Sequence, residues 1–142
     1  MECLDLRRKL DNVTGVAYSL INLGACSLTE GHIDQSREQY SQALTAFSDL
    51  GDPIGMAASF EGLAWLSPPL TAARLPGAAE NLRKGVGAPL LDYDLADYDR
   101  HLAKIRASAA TEGEFQEAWR EGASMSRDAL VVLALDDESS GR

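Results

Sequence analysis

Thr14-Gly-Val-Ala-Tyr-Ser-Leu-Ile-Asn-Leu23 and Ile54-Gly-Met-Ala-Ala-Ser-Phe-Glu-Gly-Leu63 are one phrase written twice, 40 residues apart. Gly15 answers Gly55, Ala17 answers Ala57, Ser19 answers Ser59 and Leu23 answers Leu63. Phe60 stands where Leu20 stands, and Leu50-Gly-Asp52 follows Leu10-Asp-Asn12 at the same offset. A fixed period of this size marks an array of helical hairpins in which each unit buries a face against the next.

Working outward, Glu2 to Leu10 reads as the end of a helix with Leu4, Leu6 and Leu10 apolar, aligned with Ala43 to Leu50. The chain is therefore expected to open in the second helix of a repeat whose first helix is missing. That leaves an open edge, since the end repeats of solenoids normally carry a polar outer face. Asn12 suits an N-cap, and a helix is expected from Val13 to about Leu28. Val16, Leu20, Leu23 and Ser27 form its apolar stripe, with Val13 and Ala17 beside it. Gly24 costs about 1 kcal/mol inside a helix unless a neighbour approaches closely there. Thr29-Glu-Gly-His32 is a turn.

The next helix spans Ile33 to about Asp49 and buries Ile33, Tyr40, Ala43, Leu44 and Phe47. Gly51 stops it. Asp52 caps the following helix with Pro53 at its first position, and Met56, Phe60, Leu63, Ala64 and Leu66 are that helix's apolar face. Pro68 and Pro69 end it. Pro76-Gly77 interrupts the stretch from Thr71 to Val86, so a helix is expected to start near Pro76 after an irregular turn. Glu80 and Lys84 make a favourable i,i+4 pair. Asp92 or Asp94 caps a helix of about Tyr93 to Ala109 with the stripe Leu95, Tyr98, Leu102 and Ile105. Thr111 and Glu114 form a capping box for a short helix anchored by Phe115, Ala118 and Trp119 and ending at Gly122. Ser126 caps Arg127 to Leu135. The tail after it is expected to be disordered.

The bulk properties exclude several classes. A chain of 142 residues is about one domain. A formal charge of -9 argues against nucleic acid, whose phosphates need clustered Lys and Arg, and against an anionic membrane surface. The N-terminus has no apolar core of a signal peptide, and no run approaches the ~20 apolar residues of a membrane span. Cys3 and Cys26 lack metal-ligand spacing and are read as thiols of a cytoplasmic protein. Asp92-Tyr-Asp-Leu-Ala-Asp-Tyr-Asp99 has Asp97 and Ala103 where a calcium loop needs Gly and Glu. His32 and His101 are isolated, both read as solvated. Ser124 and Ser126 lie in no nucleophile elbow. No catalytic residue, metal or cofactor is expected.

Two sets of residues carry a resemblance. The repeat half has Leu-x-x-Leu-Gly at residues 20–24 and Leu-Gly-Asp at residues 50–52. The second half has, in order, Ala72-Ala-Arg-Leu-Pro-Gly-Ala-Ala-Glu-Asn-Leu-Arg83, Gly87-Ala-Pro-Leu90, Tyr98, Phe115-Gln-Glu-Ala-Trp-Arg-Glu-Gly122 and Met125-Ser126. Nearly the whole chain resembles the C-terminal tetratricopeptide-repeat region of bacterial multi-domain regulators of the LuxR-type, STAND-ATPase and adenylate-cyclase-like kinds. The resemblance implies an all-α fold, a tetratricopeptide-like α-α superhelix of antiparallel helix hairpins with a C-terminal helical cap. Residues 1–90 would be the hairpins, 91–135 the cap and 136–142 the tail. It implies a non-enzymatic protein–protein interaction module, the sensing or scaffold end of a transcriptional or signalling regulator. Its partner would be a protein or peptide, including an upstream ATPase or output domain. A homodimer through the incomplete first repeat is the free-standing form of this reading. The alternative is a small-molecule effector-binding arm. The chain departs from the pattern in having no phosphate loop and no basic recognition helix, and in carrying Pro76 where a large apolar residue is usual.

In such folds the first helix of each pair lines the concave face. With Gly24 as the packing position, Tyr18, Ile21, Asn22 and Ala25 point into the groove. Ala58, Glu61, Gly62 and Trp65 follow 40 residues on. None of these is Lys or Arg, so binding of an acidic C-terminus is not expected. The competing reading has Tyr18 and Trp65 packing against the next helix pair, because aromatic residues on helix faces usually bury area.

Overall fold

The computed structural model describes residues 2–88 and 92–136. Every regular element among them is helical: α1 (Glu2–Thr29), α2 (Ile33–Leu50), α3 (Pro53–Ala64), α4 (Pro69–Val86), α5 (Asp92–Ser108), α6 (Glu112–Ser124) and α7 (Arg127–Leu135). None is long and apolar enough to cross a membrane.

The turn expected at Asn12 does not form, and α1 runs unbroken from Glu2 to Thr29. The reason lies in what the second copy has and the first lacks. Gly51 takes φ 69°, and its N–H and that of Asp52 bond back to Ser48 and Phe47. The Asp52 carboxylate then accepts from the N–H groups of Ile54 and Gly55 at 3.1 Å each, with Pro53 opening α3. Asp11-Asn12-Val13 offers neither a left-handed glycine nor a proline, so helical bonding continues. The side chains of Leu4, Leu6 and Leu10, expected to be buried, lie outside what is described.

α1 and α2 form a hairpin closed by Gly31 at φ 85°. Only part of the face expected on α1 meets α2: Ala17 and Ser27 are buried as expected, and Gly24 is a point of close approach. Val16 is 61% exposed and Leu23 50%, whereas Ala17, Gly24 and Ser27 are buried. Small residues win because α2 comes in close. The Ser36 hydroxyl donates to the Gly24 carbonyl at 2.7 Å, and Ser27 donates to Gln39 at 2.7 Å. A Cβ at Gly24 would sit 3.0 Å from the Tyr40 ring. Tyr40, Ala43, Leu44 and Phe47 are buried as expected, and Ile33 is exposed instead.

α3 is enclosed on nearly every side: Met56, Phe60, Leu63, Ala64 and Leu66 all join the core. Gly62 lies under Tyr40, which is thus held between two glycines from different helices. Burial pushes the Tyr40 hydroxyl up to about 12.

Pro68 and Pro69 begin α4 rather than end α3: Pro68 is its N-cap and Pro69 lies in its first turn. The helix then continues through Pro76 instead of starting there. A proline in a helix interior costs about 3 kcal/mol. Here its ring is fully buried beside Leu75 and Ala79 in the core, so apolar burial offsets the lost hydrogen bond. Lys84 and Glu80 pair at 2.7 Å.

α6 packs along α4. Gly77 faces the Trp119 carbonyl, and Gly122 faces the Arg74 carbonyl, with no room for a Cβ at either. Gly122 is therefore a crossing point inside α6 and not its end. Arg74 pairs with Glu121 at 2.8 Å, and Asn81 donates to the Ala123 carbonyl at 3.1 Å. Thr111 accepts from the Glu114 N–H, the forward half of the capping box, and Ser126 accepts from Ala129 to cap α7. α7 touches α2, α3 and α4 and buries Leu130. Of the tail expected over residues 136–142, all but Asp136 lies outside the described residues.

Candidate functional site

Six of the residues expected in the groove meet in one cleft. Ile21 and Ala25 of α1 face Ala58, Glu61, Gly62 and Trp65 of α3, with Leu28 and Thr29 extending the α1 wall and Tyr40 of α2 also lining the cleft. Two helices of equal pattern, in neighbouring hairpins, turn the same side to the same space. The cleft holds about 490 Å3.

Tyr18 and Asn22 stand outside it. The Tyr18 ring packs edge-on against Phe47, with centroids 4.7 Å apart, and its hydroxyl donates to Asp52 at 3.3 Å. Burial, and then the Asp52 carboxylate, raise its pKa. Asn22 is exposed and does not line the cleft.

The opposite wall comes from α5, which supplies Asp97, Tyr98, Arg100, His101 and Lys104. The His101 ring lies parallel to the Trp65 indole, with centroids 4.8 Å apart at 13°. Tyr98 meets the same indole edge-on at 5.8 Å. Trp65 thus packs against a following helix, as the competing reading had it, and lines the cleft as well. His101, expected to be solvated, is half-buried. Burial, then the charges of Arg100 and Lys104, hold its pKa below the usual histidine value, with Asp97 opposing. Burial, then Glu61, Glu80 and Asp99, push the Tyr98 hydroxyl well above the tyrosine range, with Arg83 opposing.

An ion pair sits inside the cleft. Arg83 of α4 donates to Glu61 through Nε at 3.1 Å and Nη2 at 2.8 Å. Both side chains are largely buried, at 13% and 10% exposure. Two charges taken from water hold together only with such two-point geometry, and removal of either would strand the other. The pair ties α3 to α4 beneath the cleft.

Sequence reasoning missed the α5 wall. Asp97, Arg100, His101 and Lys104 do recur at helical spacing, and that signal was available. A charged stripe ordinarily faces water, and nothing in the spacing said that this one borders a cavity. The expected groove positions on α1 and α3 hold no Lys or Arg, but Arg83 of α4 and Arg100 and Lys104 of α5 also line the cleft. The arrangement is suited to binding, with flat aromatic faces, aliphatic side chains and charged groups both within the cleft and on its α5 wall. Among the described residues no group of three His, Cys, Asp or Glu side chains is placed to hold a metal ion. Cys26 is a free, exposed thiol.

No protein-family model, no curated protein and no solved structure matches the chain.

Proposed function

We propose that this chain is a non-enzymatic interaction module, a tetratricopeptide-like superhelix that serves as the sensing or scaffold part of a cytoplasmic bacterial regulator. The observation that supports it is the convergence of Ile21, Ala25, Ala58, Glu61, Gly62 and Trp65, equivalent surfaces of two repeats, on one cleft. Repeat folds of this kind use such concave surfaces for recognition. An effector-binding arm is the second reading, and one feature favours it. α5 walls the groove at Trp65, and the volume of about 490 Å3 falls within the range of roughly 300–1,000 Å3 common for small-molecule sites.

Both readings are tested by filling the pocket. Ala58 is half-buried on its wall, and Ala58→Trp would occupy the space. Peptide and metabolite libraries are screened against the native chain, and every binder is rechecked on this variant, with a thermal melt to show that the fold survives. Binding should fall at least about tenfold, the loss of one well-placed contact of 1.4 kcal/mol. Binders that hold equally well to the folded variant would place the recognition surface elsewhere.

A further inference from the structure

The charges around the cleft do not cancel. Arg83 is committed to Glu61 by two bonds, and Arg100 to Asp97 at 2.6 Å. Burial, then Arg100 and Lys104, disfavour the charged form of His101. Lys104 is left as the lining cation with no ion pair among the described residues. Among the described lining residues three cations, Arg83, Arg100 and Lys104, stand with two carboxylates, Glu61 and Asp97, within a chain of formal charge -9. The excess acid works against an anion only at long range, since charges are screened over about 8 Å at physiological salt. Inside the cleft the local cation decides.

The rest of the wall selects shape. Trp65 and His101 lie parallel, Tyr98 closes one edge, and Ile21 and Ala58 supply aliphatic surface opposite. Such surfaces favour a flat, apolar body. The acids present, Glu61 and Asp97, are each engaged by an arginine, which disfavours a cationic ligand.

We propose that the cleft between α1, α3 and α5 binds a small molecule with a flat apolar body and a single carboxylate, the body resting against Trp65 and Tyr98 and the carboxylate meeting Lys104. This rests on the effector reading and gives that effector a chemical class.

The test uses three probes of one shape: 2-naphthoate, its neutral amide, and the corresponding naphthylmethylammonium. Each is titrated into the full chain, and the indole N–H resonances of the two tryptophans are followed by NMR. Naphthoate should shift the Trp65 resonance saturably and leave Trp119 in place. The amide should bind about three- to fivefold more weakly, as expected for a partly exposed ion pair. Lys104→Gln should weaken naphthoate by the same factor without changing the amide, and Lys104→Arg should restore it. Lys104 is exposed, so these variants keep the fold. If the amide or the ammonium binds as tightly as the acid, or Lys104→Gln leaves naphthoate unchanged, the chemical class is wrong while the pocket stands. If none of the three probes moves the Trp65 resonance, the pocket reading falls with it.

Discussion

α1 and α3 carry the same phrase and live in different surroundings. Met56 and Leu63 of α3 are 2% exposed, while their counterparts Val16 and Leu23 on α1 are 61% and 50% exposed. Gly55 is covered by Phe47, and a Cβ at Gly15 would meet nothing within 4 Å. Trp65 ends its helix under the rings of α5, and its counterpart Ala25 faces the open cleft. Equivalent residues therefore do equivalent work only when both neighbours are in place. α3 has a helix hairpin on one side and α4 on the other; α1 has α2 and part of α3.

The largest expected difference lies at the aromatic position. Phe60→Ala should lower stability by about 3–5 kcal/mol, because a fully buried ring leaves a cavity. Leu20→Ala, at the half-buried counterpart, should cost less than half as much. Denaturant unfolding of both variants decides it, and equal losses would mean that α1 is as enclosed as α3.

A smaller effect, opposite in sign at the two sites, is expected at the paired glycines. Gly55→Ala should destabilise by about 1–3 kcal/mol, since the new methyl drives into Phe47. Gly15→Ala should stabilise by about 0.5–1 kcal/mol, because alanine removes backbone entropy from the unfolded chain at a helical site with open space. The same thermal or chemical melts read both signs. Destabilisation at Gly15 would show a neighbour packed over it in solution.

The smallest effect concerns the roof over Trp65. The folded state holds the His101 pKa below 6.5, so the unfolded chain takes up the proton first. This contribution is fully present above pH 6.5 and is lost as the pH falls through the lowered value. After solvent screening it should amount to under about 1 kcal/mol. His101→Gln should flatten the acid limb of the stability–pH profile by that much. An unchanged limb would mean that the ring is solvated and α5 does not cover α3.

Legibility followed chemical locality. The Gly51 stop, the Asp52-Pro53 start and the caps at Thr111 and Ser126 were readable because each is decided within four residues of chain. The α3 core was readable because its apolar residues outnumber any alternative face. Three readings failed where distance in sequence mattered. Asn12 looked like a cap by analogy with Asp52, but without a glycine before it or a proline after it. Val16 and Leu23 looked buried by size, yet α2 chose the face of Ala17 and Gly24 because only there could Tyr40 and Ser36 reach the α1 backbone. Pro76 looked like a break, and its burial in the core keeps it within α4.

Half of the cleft was legible in the same way. The repeat phrase put Ile21, Ala25, Ala58, Glu61, Gly62 and Trp65 on matching helix faces before their meeting was known. It also placed Tyr18 and Asn22 there, and Tyr18 instead turned to Phe47 and Asp52. The α5 wall was not legible, because a helix connected through residues 87–91 can settle on several surfaces, and its stripe of charges reads equally well as solvent-facing.

By itself, then, the sequence determined that the chain is helical, that two of its hairpins share a pattern, and where most helices start, because hydrogen-bond caps and apolar periodicity act over a few residues. Only the tertiary structure decided which face of α1 is buried, that Gly77 and Gly122 let α4 and α6 touch backbone to backbone, and that α5 brings Trp65 a stacked histidine and the cleft a lysine. Those outcomes depend on close approach and charge pairing between residues tens of positions apart, and no local pattern carries that information.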